Sequence, residues 1–234
     1  MGAIYRREMS AFFNSSIAYI FLAVFYAFSG YFFSYSSLAY STTDMSGLFS
    51  SIFIIILIVI PILTMRLFSE EKKQKTEQGL LTAPVSLTGI VLGKYFAALT
   101  LYSTGIAIYF LYALVLEYFG GVAWPVVISN CAALFLLGAA FIAVACFISS
   151  LTENQVVSAI ASFMALMVLY LFDMFAQYIN NSFISGLLTD LSFYNKYTEF
   201  TSGIFNLSSV LFFISTAVLF NFFTVRVFEK RRWS

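Results

Sequence analysis

The sequence has no histidine, and only 10% of its 234 residues are charged. The missing histidine removes Ser-His and Cys-His dyads, most zinc sites and the usual switch for titration near neutral pH. The shortage of charge excludes a water-soluble globular domain, which carries about 25% charged residues. At 61% hydrophobic, with a mean hydropathy of +0.92, the chain has lipid as its solvent. Cysteine is also scarce. Cys131 and Cys146 share one apolar run, and on a helix they stand about 22 Å apart, beyond disulfide reach. They read as packing residues and report nothing about a redox compartment. A net charge of +1 carries no indication of nucleic acid as a partner.

Aromatic and aliphatic residues are abundant instead. The 29 Phe and 15 Tyr suit interfacial belts and tight helix packing. Six apolar runs, near 17–36, 48–65, 95–116, 125–148, 155–173 and 208–227, are long enough to cross a bilayer, which takes about 20 residues. They are continuous rather than alternating and too few to close a barrel, so they predict helices. Pro61 predicts a kink near the end of the second run.

Six spans put both termini on one side. All Lys and Arg residues except Lys196 fall on that side, while the acids divide almost evenly. The positive-inside rule makes that side cytoplasmic, for both termini and the charged segment of a multi-pass protein; the localisation expected with the resemblance described below is a bacterial inner membrane. The first apolar run is too long and starts too late for a cleaved signal peptide. Residues 1–14 read instead as an interfacial helix, with Tyr5, Met9, Phe12 and Phe13 on one face and Arg6, Arg7, Ser10 and Asn14 on the other. A frayed tail is the alternative.

One long charged segment interrupts the apolar chain. Between Met65 and Ser86 stand Arg66, Glu70, Glu71, Lys72, Lys73, Lys75 and Glu77. Ser69 is a suitable N-cap, and Glu70 and Glu71 then occupy a first helical turn, where the dipole favours acids. Glu71 and Lys75 form an i, i+4 pair in the favourable order. Gly79 is a weak point, Leu80 and Leu81 give an apolar edge, and Pro84 should end the element at Ala83. The spacing predicts a short helix lying along the membrane, its charged face toward the cytoplasm. The competing reading is a solvated loop whose lysines bind anionic headgroups.

No nucleotide-binding loop is present. Gly89 to Tyr95 has three residues between its glycines instead of four, and Tyr95 stands where a magnesium-binding hydroxyl is needed. It reads as a small-xxx-small contact at the start of the third span, or as chance. A self-contained ion-coupled carrier usually keeps ionisable groups within the bilayer. Here Asp173 lies about 27 Å along a helix from Gln155, so it reads as an outer cap or anchor. An intramembrane protease lacks both its histidine and an inward acid pair. The outer segment 174–207 is long and aromatic, which predicts short interfacial or re-entrant helices rather than a disordered loop.

Three segments carry a family resemblance. Arg66-Leu-Phe-Ser-Glu-Glu-Lys, Thr76-Glu-Gln-Gly-Leu-Leu and Ala83-Pro-Val-Ser together resemble the signature that follows the second span in ABC-2 type transporter permeases. Phe147-Ile-Ser-Ser-Leu-Thr-Glu-Asn-Gln resembles that family's turn between spans four and five. Val227-Phe-Glu-Lys-Arg-Arg-Trp resembles its C-terminus. The similarity covers essentially the whole chain and is closest to the gliding-motility-type branch. Gly79 departs from the usual Thr-Leu-Glu-Leu-Leu run.

The resemblance implies a single all-α membrane domain over 1–234. Its parts would be six transmembrane helices, the interfacial helix 1–14, a cytoplasmic coupling helix 66–83 and outer re-entrant helices within 174–207. It implies that Arg66, Phe68, Ser69, Glu70, Glu71, Lys72, Lys73, Lys75, Thr76 and Glu77 contact an ATP-binding subunit, with Thr152, Glu153 and Asn154 as a second, smaller contact. These are contact residues and not catalysts. This chain would bind no cofactor or metal, and ATP and magnesium would sit in the partner. A second permease, identical or related, completes the implied complex, and gliding-type systems suggest an auxiliary membrane protein as well. The pathway would lie between permeases, lined by the first, second and fifth spans, with export the favoured direction. A non-transporting mechanical transmitter driven by the same ATPase fits the composition equally, and a stand-alone channel or carrier fits less well.

Overall fold

Inside a bilayer the backbone must satisfy its own hydrogen bonds, and a single apolar run can do so only as a helix. The computed structural model describes residues 1–82, 85–179, 181–201 and 206–232, apart from the side chains of residues 80–82, 177 and 182. Among the described residues the regular structure is entirely helical. The expected helix end at Ala83 and Pro84, the apolar edge at Leu80 and Leu81, and Trp233 of the terminal motif lie outside that description.

All six expected spans are helices long and apolar enough to cross a membrane. The first is α2 (Ser16–Phe33), extended by a π-helical turn at Ser34–Leu38. The short α1 (Gly2–Asn14) precedes it, separated only by Ser15 in extended conformation. The second span is α3 (Ser46–Thr64), which Asp44 starts by accepting hydrogen bonds from the backbone N–H and hydroxyl of Ser46 at 2.9 and 2.7 Å. The helix runs through Pro61 and ends at Thr64, with the single residue Met65 before the next helix. Beyond Met65 come α4 (Arg66–Lys73) and α5 (Glu77–Thr82).

The third span is α6 (Leu87–Ile106) and α7 (Ile108–Gly120), broken at Ala107. It begins eight residues before the expected 95 and so takes Lys94 into its helix. The fourth is α8 (Trp124–Leu151) and the fifth α9 (Gln155–Tyr178). The outer segment forms two short helices, α10 (Ser182–Asp190) and α11 (Phe193–Thr201), before the sixth span α12 (Leu207–Arg232). Asp173 holds α11 in place by accepting a 2.6 Å hydrogen bond from the Asn195 amide.

α8 is the centre of the bundle. It touches α3, α6, α9, α11 and α12, and two-thirds of its apolar window is buried, against 17% for the fifth span. Close approach makes this packing work. At Gly138 an added Cβ would fall 2.0 Å from the fully buried Tyr102 ring, whose hydroxyl donates to the Leu134 carbonyl at 2.9 Å. The Gly89/Gly93 pair serves the small-xxx-small contact expected of it. Ile4 of α1 packs so close that a Cβ at Gly93 would lie 3.0 Å away. α1 therefore seats on the N-terminal start of the third span.

Candidate functional site

The charged segment does not fold as one helix. α4 stops at Lys73, and the chain turns through Gln74, Lys75 and Thr76 before α5 begins. Lys75 adopts a positive φ of 58°. Its N–H donates to the Lys72 carbonyl at 3.2 Å, and the Thr76 N–H donates to the Glu71 carbonyl at 3.0 Å. This is a left-handed helix stop, a position that normally goes to glycine. The expected Glu71–Lys75 pair does not form, because the turn carries Lys75 away. The i, i+4 pair on this helix is Arg66–Glu70 at 3.0 Å.

Ser69 is not a cap either. α4 follows α3 after the single residue Met65, so Ser69 lies in mid-helix, fully buried, with its hydroxyl donating back to the Met65 carbonyl. Ser149 at the end of α8 closes the same joint. Its hydroxyl donates to the Met65 carbonyl at 3.1 Å and accepts from the Ser69 N–H at 3.4 Å.

Glu71 belongs to a buried ion cluster. The Lys94 ammonium, 1% exposed, has three protons and three oxygen acceptors around it. These are Glu8 at 3.0 Å, Glu71 at 2.9 Å and the Leu67 carbonyl at 2.7 Å. The Phe68 ring lies 5.4 Å from the same nitrogen. Arg7 bridges the outside of the cluster, donating to Glu8 at 2.8 Å and to Glu71. Two cations thus face two carboxylates, and the cluster is neutral overall. Burial alone would raise the Glu8 carboxyl, but Lys94 and Arg7 outweigh it and hold it below the ordinary 4.5. Burial would likewise lower the Arg7 guanidinium, and the two carboxylates raise it instead. A cleft of about 330 Å³ opens beside the cluster, between α1 and α4.

Two further contacts hold the other side of the segment. Phe68, 2% exposed, packs against Phe228 of α12 with ring centroids 5.3 Å apart. Glu77 is buried and accepts from Arg231 at 3.0 Å, while Arg231 also donates to the Ser150 carbonyl. Lys72 reaches Glu153 at 3.1 Å. The charged segment, the α8–α9 turn and the end of α12 therefore meet in space, although some 75 residues separate each from the next in sequence.

The expected contact residues divide in two. Lys73, Lys75 and Thr76 are exposed, as is Gln74; Arg66, Glu70 and Lys72 are half-buried. Phe68, Ser69 and Glu77 are buried, and Glu71 is enclosed in the ion cluster, so these four hold the segment in place and offer a partner little surface. In the smaller contact, Glu153 is 67% exposed. Asn154 is occupied as the cap of α9, accepting from the Val156 N–H at 2.9 Å, and the Thr152 hydroxyl is buried.

Sequence reasoning passed over Arg7, Glu8, Lys94, Phe228 and Arg231 as parts of the site. Two signals pointed to the cluster. Glu8 lies on the same helical line as Ile4 and Phe12, both buried, so an acid stands where an apolar residue was due. Lys94 is the sole charge between Leu87 and Leu116. On α1, Phe12 is buried and Tyr5 and Met9 pack against the core as the stripe expects, Ile4 and Glu8 widen the inward face, and Phe13 departs from it at 39% exposed.

The model of one protein family, described as ABC-2 family transporter protein, matches residues 6–169. That stretch contains the whole charged segment, Lys94 and the α8–α9 turn. The match is to the family at large and does not support a narrower placement with gliding-motility-type permeases. No curated protein matches the chain.

Proposed function

The chain belongs to the ABC-2 family of transporter membrane proteins, and from that premise we propose that it is the permease subunit of an exporter driven by a separate ATP-binding subunit. One observation carries the reading. A charged segment continuous with the second span is clamped on three sides, and its turn, Lys73 to Thr76, faces solvent. A handle of this kind converts a partner's movement into helix movement, because packed elements shift as rigid bodies rather than deform.

In this reading the partner seats on Lys73, Gln74, Lys75 and Thr76, flanked by Glu70, Lys72 and Glu153. Phe68, Ser69, Glu71 and Glu77 keep that surface rigid, and Arg66 steadies Glu70. The chain itself catalyses nothing. ATP and magnesium belong to the partner. Two permeases and two ATP-binding subunits form the complex, in the cytoplasmic membrane with both termini inside. The permeases meet through the face made by α2, α3 and α9. Support comes from Ile54, Ile58 and Ile62, an exposed line along a span that is otherwise two-thirds buried and touches both neighbours. α10 and α11 would close the outer end of the pathway. Placement in the gliding-motility-type branch, with its auxiliary membrane protein, rests on the motif resemblance alone.

The test is charge reversal at the turn. Lys73→Glu with Lys75→Glu should abolish co-purification of the ATP-binding subunit and nucleotide-driven transport, while insertion and thermal stability persist. Unchanged co-purification and transport would overturn the reading. Reversal of Glu71 is the wrong experiment, since it would strip Lys94 of an internal partner and damage the fold directly.

A further inference from the structure

Spans three, four and six enclose a groove that the proposed coupling leaves unused. Its floor is Leu99, Ala139, Ala217 and Val225, each less than a tenth exposed, and its walls are the exposed rings of Phe96, Phe135 and Phe222. The volume is about 660 Å³, within the usual range for a bound small molecule. The lining extends along α12 from Phe213 to Glu229, about 24 Å at 1.5 Å per residue. One leaflet contributes half of a hydrocarbon core about 30 Å thick, so the groove can take an acyl chain and the start of a headgroup.

The groove is apolar in the membrane and ionic at its cytoplasmic end. Arg226 and Glu229 stand there 2.5 Å apart, with side chains 60% and 38% exposed, and the guanidinium lies 4.8 Å over the Phe222 ring. A more polar hollow of about 460 Å³ continues from this end, sharing Thr88 and Glu229 and adding Ser86 and Arg232. Deeper in the groove, Asn221 turns its amide N–H to its own helix at the Ala217 carbonyl.

We propose that this groove binds one phosphatidylethanolamine molecule of the cytoplasmic leaflet. An acyl chain lies over Ala139 and Ala217, the phosphate accepts from Arg226, and the primary ammonium donates to Glu229. The adjacent cation and anion select this headgroup. An anionic lipid without an amine places no cation against Glu229, and a choline headgroup has no N–H to donate. The lipid is a resident of the permease, since the groove uses different helices from the α2, α3 and α9 face assigned to the pathway.

The experiment is mass spectrometry of the purified protein, followed by exchange in nanodiscs of phosphatidylethanolamine, phosphatidylglycerol or phosphatidylcholine. The expected result is roughly one retained phosphatidylethanolamine per chain, preferred over the other two by about tenfold, the size of one charge-assisted hydrogen bond. Ala217→Phe should remove retention of every lipid. Glu229→Gln alters a partly exposed side chain without changing its shape, so it should leave the fold intact and erase the preference. Equal retention of the three lipids, or an unchanged preference in Glu229→Gln, overturns the proposal. So does a cross-link from a cysteine placed at Val218 to a second copy of the chain. Co-purification with the ATP-binding subunit should be untouched by Glu229→Gln, which separates this outcome from the coupling test.

Discussion

Glu71 and Lys73 stand two residues apart on one short helix, yet Lys94 and Arg7 enclose the first while the second projects into solvent. The base of the charged segment, Arg66 to Glu71, has partners on α1, α6, α8 and α12; the turn at Lys73 to Thr76 faces outward. Both regions are charged, and they differ in what their charges do. At the base, charge replaces hydrophobic packing at a place where three helices meet near the membrane surface. At the turn, charge is displayed. A run of seven ionised residues is therefore two structures, and they should respond oppositely to mutation.

The largest effect is expected at Lys94. Lys94→Met removes the buried cation of the cluster and leaves Glu8 and Glu71 to share Arg7, one carboxylate in excess, at a cost of about 3–5 kcal/mol. Thermal unfolding in detergent should show a large drop, and adding Glu71→Gln to the same chain should recover most of it, because Arg7 and Glu8 then remain as a neutral pair. If the single variant unfolds like the parent, the base is not held by this cluster. Gly93→Val comes next. It sets a branched side chain against Ile4 and should cost about 1–3 kcal/mol, read as proteolytic exposure of α1 with the spans still folded.

Acid provides a third, graded probe. The Glu8 carboxyl is held below its ordinary 4.5, so its contribution to stability is complete above that pH and declines as the pH falls through the lowered native value. Melting temperature should decline in that window, and Glu8→Gln should flatten the decline. The turn should hardly register in such measurements. Lys75→Gly relieves a left-handed lysine but loosens the unfolded chain, for a net gain of about 0.5 kcal/mol. Lys73→Glu with Lys75→Glu should change stability by less than about 0.5 kcal/mol while disrupting the partner contact. A large stability loss at the turn would erase the distinction between the two regions.

Much of the fold was legible because lipid permits so few solutions. The six spans could be placed from apolar run length, and the outer helices from the mix of aromatic and polar residues in a stretch too long for a loop. The interior of the charged segment was less legible. Its i, i+4 spacings offered Lys75 to Glu71, but spacing does not say which tertiary cation will arrive first, and Lys94 arrives from a helix that begins earlier than hydropathy suggests. The helix stop was hidden because lysine occupies the place where glycine would have announced it. Ser69 looked like a cap because the charge begins beside it, whereas the helix itself begins at Arg66 and follows the second span almost without a break. Glu8 was overlooked as a core residue since charge on an interfacial helix is normally solvated.

The reversal at Lys75 also determines where a load would go. One arm of the turn leads through α4 to the Met65 joint and the second span; the other leads into α5, where Glu77 is tied to Arg231 on the sixth. The crown is thus a bracket bolted at both feet. Pressure on it is divided between the second and sixth spans, both of which pack on α8, and does not run along one rod.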